Sequence, residues 1–485
     1  RNFVFNNSSL ILMYFRFSLY ALSLLLMAQS TASAQSQATD GATGDDDWVY
    51  VESIRLEGNR KTKDRVIFRE LNFEVGDSIR ISELSQRFEQ NRNFVMNTGV
   101  FNDASINIKT WDQRNNAIGI EIQLKESWYF YPIPILELAD RDFNVWWKEF
   151  GFSLRRLNLG LRLYHINMTG NRDRLKLALQ SGFSQKYELR YEMPGINRAQ
   201  TIGLTANVFY SRSKELGYKT VGNIVQFFRD DNDFLRFRRR AGITLSYRPG
   251  LLSYHNLKVE YQHNNIDELV ATELNDNYFP EGQLRQRLIF LEYEFIYDQR
   301  DVKPYPMRGY HIYAALQKEG VGLFGDRNGF YALARYDQFF SFNRRFSLAL
   351  TTKGKLALAR GFQNYNNFTG LGYQGDFIRG YELYAIDGLD YIYFKSTFRY
   401  LLWSRTFNYG KLMPLKSMRE MPFRLFLTVH NDSGYVNDPQ YGDINPLGNQ
   451  WLWGGGVGVN LVMYYDKVFT FEYSFNQLGE RESIP

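Results

Sequence analysis

Few side chains in this sequence are placed to do chemistry, and those that are suggest ion pairing rather than bond making. Arg379 stands in Ile378-Arg379-Gly380-Tyr381, within a stretch rich in Gly, Tyr and Asn. Asp298, Arg300 and Asp301 stand in Tyr297-Asp298-Gln299-Arg300-Asp301, followed by Tyr305-Pro306-Met307-Arg308-Gly309. Asp432 and Gly434 close His430-Asn431-Asp432-Ser433-Gly434. Arginine offers a planar, always-charged fork that a carboxylate accepts through two bonds. A glycine beside it lets the backbone turn tightly or approach a wall. Catalytic groups are scarce by contrast. The absence of cysteine excludes thiol nucleophiles, zinc-thiolate sites and a lipoprotein anchor. The 5 histidines show no metal-ligand spacing, and no G-x-S-x-G nucleophile elbow occurs. An enzyme, a cofactor and a metal are therefore not expected. The net charge of +6 arises from Lys and Arg interspersed with Asp and Glu, which gives no nucleic-acid footprint.

The elements that must position these residues are mostly strands. At 485 residues the chain calls for at least two units. The mean hydropathy of −0.41 looks soluble, yet a membrane barrel dilutes its lipid-facing half with polar lumen residues. Aromatic content of 17% fits either aromatic girdles or a large soluble β-protein. From about residue 128 the dominant pattern has period two. Residues 186–193 put apolar side chains on one face and charges on the other, and 257–262, 291–295 and 469–475 repeat this. One dry and one wet face suits a sandwich core or a barrel in lipid. Segments of about ten residues, dry faces of Tyr, Phe and Leu, and several charges in a row on wet faces favour the barrel. The pattern predicts about 16 strands. The longest stretch without a clear strand, from about Gly361 to Gly388, contains Arg379, and a loop of that length is usually functional.

Ahead of the strands, residues 17–34 form the one long uncharged stretch, ending in Ala32-Ser33-Ala34. The spacing predicts a secretory signal peptide over 13–34, with Met13 as the start and residues 1–12 a gene-calling artefact. Residues 35–47 read as a polar linker. Residues 48–126 predict a small domain ordered β-α-α-β-β: a strand ending at Gly58-Asn59, a short helix within 62–73, a second helix capped by Ser82, and strands at 104–108 and 118–124. The barrel is expected over 128–476, followed by a polar tail, 477–485.

That small domain, with Ile54…Gly58-Asn59, Gly76-Asp77 and Thr98-Gly99-Val100-Phe101-Asn102, resembles a POTRA domain, a periplasmic module that precedes assembly and secretion barrels; an unrelated α+β domain is the alternative. Ile378-Arg379-Gly380-Tyr381 resembles the VRGF/Y signature of the outer-membrane protein assembly family of BamA/TamA type. Asp298-x-Arg300-Asp301…Pro306-x-x-Gly309 and the Asp432-x-Gly434 motif resemble that family's other two motifs. The resemblance covers about residues 50–476. It implies a transmembrane antiparallel β-barrel in the outer membrane, with the loop between the eleventh and twelfth strands folded into the lumen and Arg379 paired with Asp432 on the wall. The family often adds a glutamate on the strand after the loop. Here that stretch is Ser396-Thr397-Phe398-Arg399-Tyr400, so a single partner is expected.

The resemblance implies a factor that inserts or translocates outer-membrane proteins. Its expected partners are unfolded outer-membrane protein clients, outer-membrane lipids, and periplasmic chaperones or accessory lipoproteins, although one POTRA-like unit argues against docking the full accessory set. Two alternatives stay open: a secretion pore for a dedicated partner, and a passive outer-membrane channel.

Overall fold

The computed structural model describes residues 48–138, 147, 151, 153, 157–182, 184–230, 232–325, 327–373, 375–413, 419–463, 467–479 and 481–484. The expected signal peptide, the residues before it and the linker lie outside these.

The N-terminal domain comprises strand β1 (Trp48–Glu57), helix α1 (Asp64–Phe68), strand β2 (Ser78–Arg80), helix α2 (Leu84–Met96), and strands β3 (Phe101–Asp112) and β4 (Ala117–Glu126). The sheet order is β2-β1-β4-β3, with β1 and β4 parallel and β3 and β4 antiparallel. Val49, Val51, Ile118, Ile120 and Ile122 on the sheet pack against Ile67, Val95 and Met96 on the helices. This order, β-α-β-α-β-β, corrects the expected β-α-α-β-β. The extra strand buries only Ile79 between exposed Ser78 and Arg80, and three residues are too few to display a period of two. Ser82 is not a cap. It lies in a 3-10 turn, and the residue before α2 is Glu83, which makes no side-chain cap bond. The first helix is also shorter than 62–73 suggested.

The rest of the described chain is built on one antiparallel sheet. Its strands are β5 (Phe130–Leu138), β6 (Leu157–Ile166), β7 (Arg174–Gly182), β8 (Ser184–Met193), β9 (Ile202–Ser213), β12 (Arg236–Tyr247), β13 (Ser253–Ile266), β14 (Arg285–Asp298), β15 (Gly309–Glu319), β16 (Gly329–Ser341), β17 (Phe346–Ala357), β18 (Asp390–Asn408), β19 (Glu420–Asn437), β20 (Trp451–Met463), β21 (Lys467–Asn476) and β22 (Arg481–Ile484). Each pairs with the next, giving a 16-stranded order from β5 to β22. The connection between β9 and β12 carries a separate hairpin, β10 (Glu215–Val221) and β11 (Ile224–Arg229). The sheet is the wall of a barrel. Along β12, Ile243, Leu245 and Tyr247 are exposed while Gly242, Thr244 and Ser246 point to the other face, and Leu257, Val259 and Tyr293 continue the outer apolar face on β13 and β14. The expected polar tail is corrected here: residues 481–484 pair with Glu472–Phe475 as a sixteenth strand. Four residues after a turn carry too little pattern to be read as a strand.

The N-terminal domain is clasped to the barrel end from which β5 starts, the near end. Glu70, just after α1, is almost wholly buried. Its carboxylate accepts from both terminal nitrogens of Arg248, in the β12–β13 turn, Oε2 at 2.7 Å, and from Nη1 of Arg172, in the β6–β7 turn, at 3.1 Å. Arg69 donates to the carbonyls of Arg248 and Gly250, both at 2.9 Å. Asn97 donates to the Asp301 carbonyl and accepts from the Lys303 amide, both at 3.2 Å. Burial by itself pushes the Glu70 carboxyl up, but Arg248 and then Arg172 outweigh it and hold the carboxyl below the usual range. A depressed carboxyl contributes stability above its unfolded value of about 4.5, and loses it as pH falls through the folded value.

Glu70→Ala is therefore expected to destabilise the protein by about 3–5 kcal/mol at neutral pH, because the buried Arg248 guanidinium loses its carboxylate and half-buried Arg172 loses the same partner. Denaturant melts in detergent from about pH 7 to about pH 3 should show the wild type losing this increment below about pH 4.5, with the variant lacking that step.

Candidate functional site: a loop latched inside the barrel

Residues 358–389 connect β17 and β18, the eleventh and twelfth strands of the barrel sheet. The loop has little regular structure: one 3-10 turn at Tyr365–Asn367 and isolated bridges Leu371↔Ile386 and Tyr373↔Asp376. It is nonetheless packed. Its Leu371, Ile378, Tyr381 and Ile386 form a buried cluster with Tyr391 and Tyr393 of β18, Val436 of β19 and Leu452 of β20. A loop without strands must hand its polar groups to other partners when buried, and the wall supplies them.

Arg379 is 7% exposed and Asp432 1%. The Arg379 Nε donates to Asp432 Oδ2 at 2.9 Å and Nη2 to Oδ1 at 2.6 Å, a two-bond fork, and the Arg379 amide adds a third contact to Oδ2 at 3.1 Å. Nη1 donates to Glu472 Oε1 on β21 at 3.1 Å, and Nη2 also reaches Thr397 Oγ1 at 3.1 Å. The expectation of a single partner is thus overturned. The second carboxylate does not come from the strand after the loop; it comes from β21, whose wet face meets the loop from the other side of β20. A buried arginine has five N–H donors to satisfy, and one carboxylate cannot reach them all.

The glycines around the pair are there for space. Gly380 has φ +91°, and a Cβ on it would stand 2.7 Å from the Phe475 carbonyl oxygen. Asn476 Nδ2 donates to the Gly380 carbonyl at 2.7 Å, so the loop rests on the end of β21. A side chain at Gly434 would meet Ile378 Cδ1 at 2.7 Å. Ile378 and Tyr381 are anchors in the buried cluster rather than chemical groups.

A second latch was not read from the sequence. Asp376 accepts from Lys353 Nζ of β17 at 2.6 and 2.8 Å, from Tyr391 Oη at 2.9 Å and from Tyr393 Oη at 3.2 Å. Its only sequence signal was a carboxylate three residues before Arg379.

The other expected motif sits apart from this pair, in the β14–β15 turn at the near end. Arg300 forks onto its own neighbour Asp298, Nε to Oδ1 at 2.7 Å and Nη2 to Oδ2 at 2.9 Å. Asp301 Oδ1 accepts from the amides of Val302 at 2.8 Å and Met307 at 3.0 Å, closing the turn. The Pro306 carbonyl accepts from Arg399 Nη1 of β18 at 2.7 Å, and the Tyr305 ring packs tilted against Phe426, centroids 4.8 Å apart. Gly309, at φ +93°, lies against the Gln299 carbonyl where no Cβ fits. The turn thereby ties the opposite wall to the N-terminal domain through Asn97. Among the described residues no group of side chains is arranged to hold a metal, and no helix is long and apolar enough to cross a membrane.

A lipid-facing barrel, a clasped N-terminal domain and a lumen loop pinned by a buried arginine define a class of outer-membrane barrel proteins. Residues 49–127 match the POTRA family model, surface antigen variable number repeat. Residues 167–412, just over half of the chain, match the Omp85 superfamily domain. The chain belongs to the Omp85 superfamily: an outer-membrane β-barrel with a periplasmic POTRA domain and a role in protein insertion or translocation. No curated protein matches it. Solved structures similar to it include BamA from Haemophilus ducreyi lacking POTRA domains 1–3 (14% identity, 88% of this chain and 81% of that chain, TM-score 0.49). CdiB from Escherichia coli (10%, 95% and 94%, 0.48) and CdiB from Acinetobacter baumannii (12%, 90% and 72%, 0.47) are also similar.

Arg379→Ala is expected to cost about 3–5 kcal/mol in barrel stability, since it takes the two-bond fork from buried Asp432 and leaves Lys395, at 3.8 Å, as its one cationic partner among the described residues. The shift of the folded barrel on unheated gels, followed against temperature, measures it. Glu472→Gln should cost less, and the double variant should fall short of the sum, because both changes break one network. Gly380→Ala should loosen the loop with the ion-pair residues intact, seen as faster protease cleavage within 358–389.

Proposed function

We propose that this protein assembles outer-membrane proteins by templating client β-strands at the edge of β5, with the POTRA domain receiving clients in the periplasm. The observation that carries this reading is the chemistry of β5. The Ile166 amide donates to the Tyr129 carbonyl at 2.8 Å, and Tyr129 stands directly before β5 in register with β6. In an antiparallel pair, bonded and non-bonded positions alternate. Residues 131, 133, 135 and 137 therefore turn their backbone groups toward β6, and 130, 132, 134, 136 and 138 turn theirs to the outer edge. Pro132 and Pro134 fall on the outer set, so this edge lacks two N–H donors where proline is tolerated only at an edge.

A strand closing against β5 forgoes two hydrogen bonds, each about 0.5–1.5 kcal/mol. The edge still presents carbonyls and the amides of Phe130, Leu136 and Leu138, and unpaired backbone groups in lipid are costly. A client strand that pairs there is stabilised by main-chain bonds with little sequence demand. The loop latch supports this from the other side: Arg379 and Gly380 brace β19 and β21, so the sheet stays rigid next to its terminal strand while the β5 edge is weak. The latched loop also fills part of the lumen, which disfavours a passive channel.

Depletion is expected to lower the levels of other outer-membrane proteins. A Pro132→Val, Pro134→Val variant, with its edge donors restored, should fold normally and rescue depletion only in part. Unchanged client levels after depletion would sink the proposal.

A further inference from the structure

Toward the end of the barrel away from the POTRA domain, the lumen face of the wall gathers cations without a counter-charge. Register aligns Gln180 of β7, Lys186 of β8, Ser211 of β9, Arg238 of β12, Asn264 of β13 and Gln286 of β14 in one row across neighbouring strands. Arg236 and Arg240 stand two residues to either side of Arg238, about 7 Å along the same face. Lys186 Nζ and the guanidiniums of Arg238 and Arg240 lie 6.0, 5.8 and 5.7 Å from the ring centroid of one residue, Phe209. Among the described residues, Lys186, Arg236, Arg238 and Arg240 form no ion pair with a carboxylate. The carboxylates on this wall are held by other groups. Glu188 accepts from Lys176 Nζ at 2.7 Å, and Glu260 from Lys258, Asn207 and Gln262 at 3.2, 3.1 and 2.9 Å. Glu260 feels Arg240 through space without a bond to it. Arg238 Nε gives one bond to the neutral Ser211 Oγ at 3.2 Å, and Arg240 Nε has no hydrogen-bond partner.

The amides at both ends of the row are orphaned. Gln286 is 1% exposed, yet neither its Oε1 nor its Nε2 has a partner; Asn264, 7% exposed, leaves Oδ1 without one, and Gln180, 5% exposed, leaves Oε1. Buried amides are normally bonded. The four cations are half-buried, so solvent reaches the row from the lumen. Its far side is roofed, where Leu235 and Ile266 pack with Leu216 of β10 and with Tyr278 and Phe279 of the β13–β14 connection. Like charges this close repel, and attraction to one aromatic ring offsets only part of that. Lumen water satisfies amides but does not neutralise gathered cations. An oxyanion does, through two-bond arginine forks. A lone oxyanion beside Phe209 does not reach Gln286, two strands beyond Arg238 and about 10 Å away. The orphaned amide there offers a donor and an acceptor together, and a hydroxyl has the same two roles to pair with them.

We propose that Lys186, Arg238 and Arg240, flanked by Arg236, bind the phosphate of a phosphorylated sugar whose hydroxyls lie along Asn264 and Gln286 beneath the roof. The cations select a doubly charged group, and the amides select what carries it. A sugar phosphate fits both halves of the row; free phosphate fits one. Gln180 stands beside Lys186, where its amide nitrogen serves the phosphate once the amide is turned.

The test uses the full chain in detergent at fixed ionic strength, with glucose 6-phosphate as the probe and binding read by titration calorimetry. The wild type is expected to bind it, and an Arg238→Gln, Arg240→Gln variant to bind about tenfold more weakly or worse. Relief of repulsion should leave this variant folded, which the unheated-gel shift checks; single Arg240→Gln, expected to weaken binding by a smaller factor, serves if it does not. Gln286→Leu should weaken glucose 6-phosphate by about threefold or more and leave inorganic phosphate unchanged. Inorganic phosphate should bind the wild type more weakly than the sugar phosphate does, and glucose not measurably. Absence of glucose 6-phosphate binding to the wild type overturns the proposal, as does equal binding by wild type and folded arginine variants. Inorganic phosphate binding as tightly as glucose 6-phosphate, or Gln286→Leu without effect, overturns it too, by making the site one for free anions.

Discussion

A guanidinium taken out of water must find carboxylates and acceptors for its donors, and Arg379 finds them on three different strands. Asp432 on β19 takes the fork through Nε and Nη2, Glu472 on β21 accepts from the third nitrogen, Nη1, and Thr397 on β18 also accepts from Nη2. The position of residues 358–389 follows from this. The loop must enter the lumen, lie flat on β19–β21, and come close enough that Gly380, Gly434 and Gly454 have no space for a side chain. The apolar cluster of Ile378 and Tyr381 with the wall then excludes water from the pair, which strengthens it in turn. Remove the pair and the loop has little secondary structure of its own to hold it in place.

Rigidity is distributed unevenly, and the distribution suits an insertion role. The periplasmic turns are tied to the POTRA domain through Glu70 and Asn97, and the β14–β15 turn is tied across the lumen through Pro306 and Tyr305. The strands next to the end of the sheet are braced by the loop. Against these, β5 carries two prolines whose missing donors lie on its outer edge. A wall that is firm everywhere except along one strand edge confines rearrangement to that edge, without loss of the surrounding sheet.

Much of this was legible in the sequence, and the parts that were not share a cause. Alternation in 186–193, 257–262, 291–295 and 469–475 marked strands because a two-faced environment imposes period two. The Arg379–Asp432 pairing came from motif resemblance, not from spacing: 53 residues separate the partners. Glu472 was hidden because it alternates like any lumen-facing charge, as Glu260, Glu292 and Glu294 do, and only register shows which of them meets the loop. Glu70 was hidden for the same reason, since Arg69-Glu70 at a helix end reads as a solvated ion pair while its partners lie 102 and 178 residues away. Strands β2 and β22 were too short to show a period. Sequence pattern reveals the faces of elements; which faces meet is decided by the order and register of the sheet.

The central claim is that the β5 edge receives a client strand. Leu136 lies on that outer edge with its side chain exposed, and a photocrosslinking phenylalanine analogue placed there during client assembly reads the edge directly. Adducts to a terminal strand of an incoming barrel client, which disappear once that client is released, are the predicted result. Adducts confined to lipid or to this protein's own last strands, with client present in excess, would contradict it.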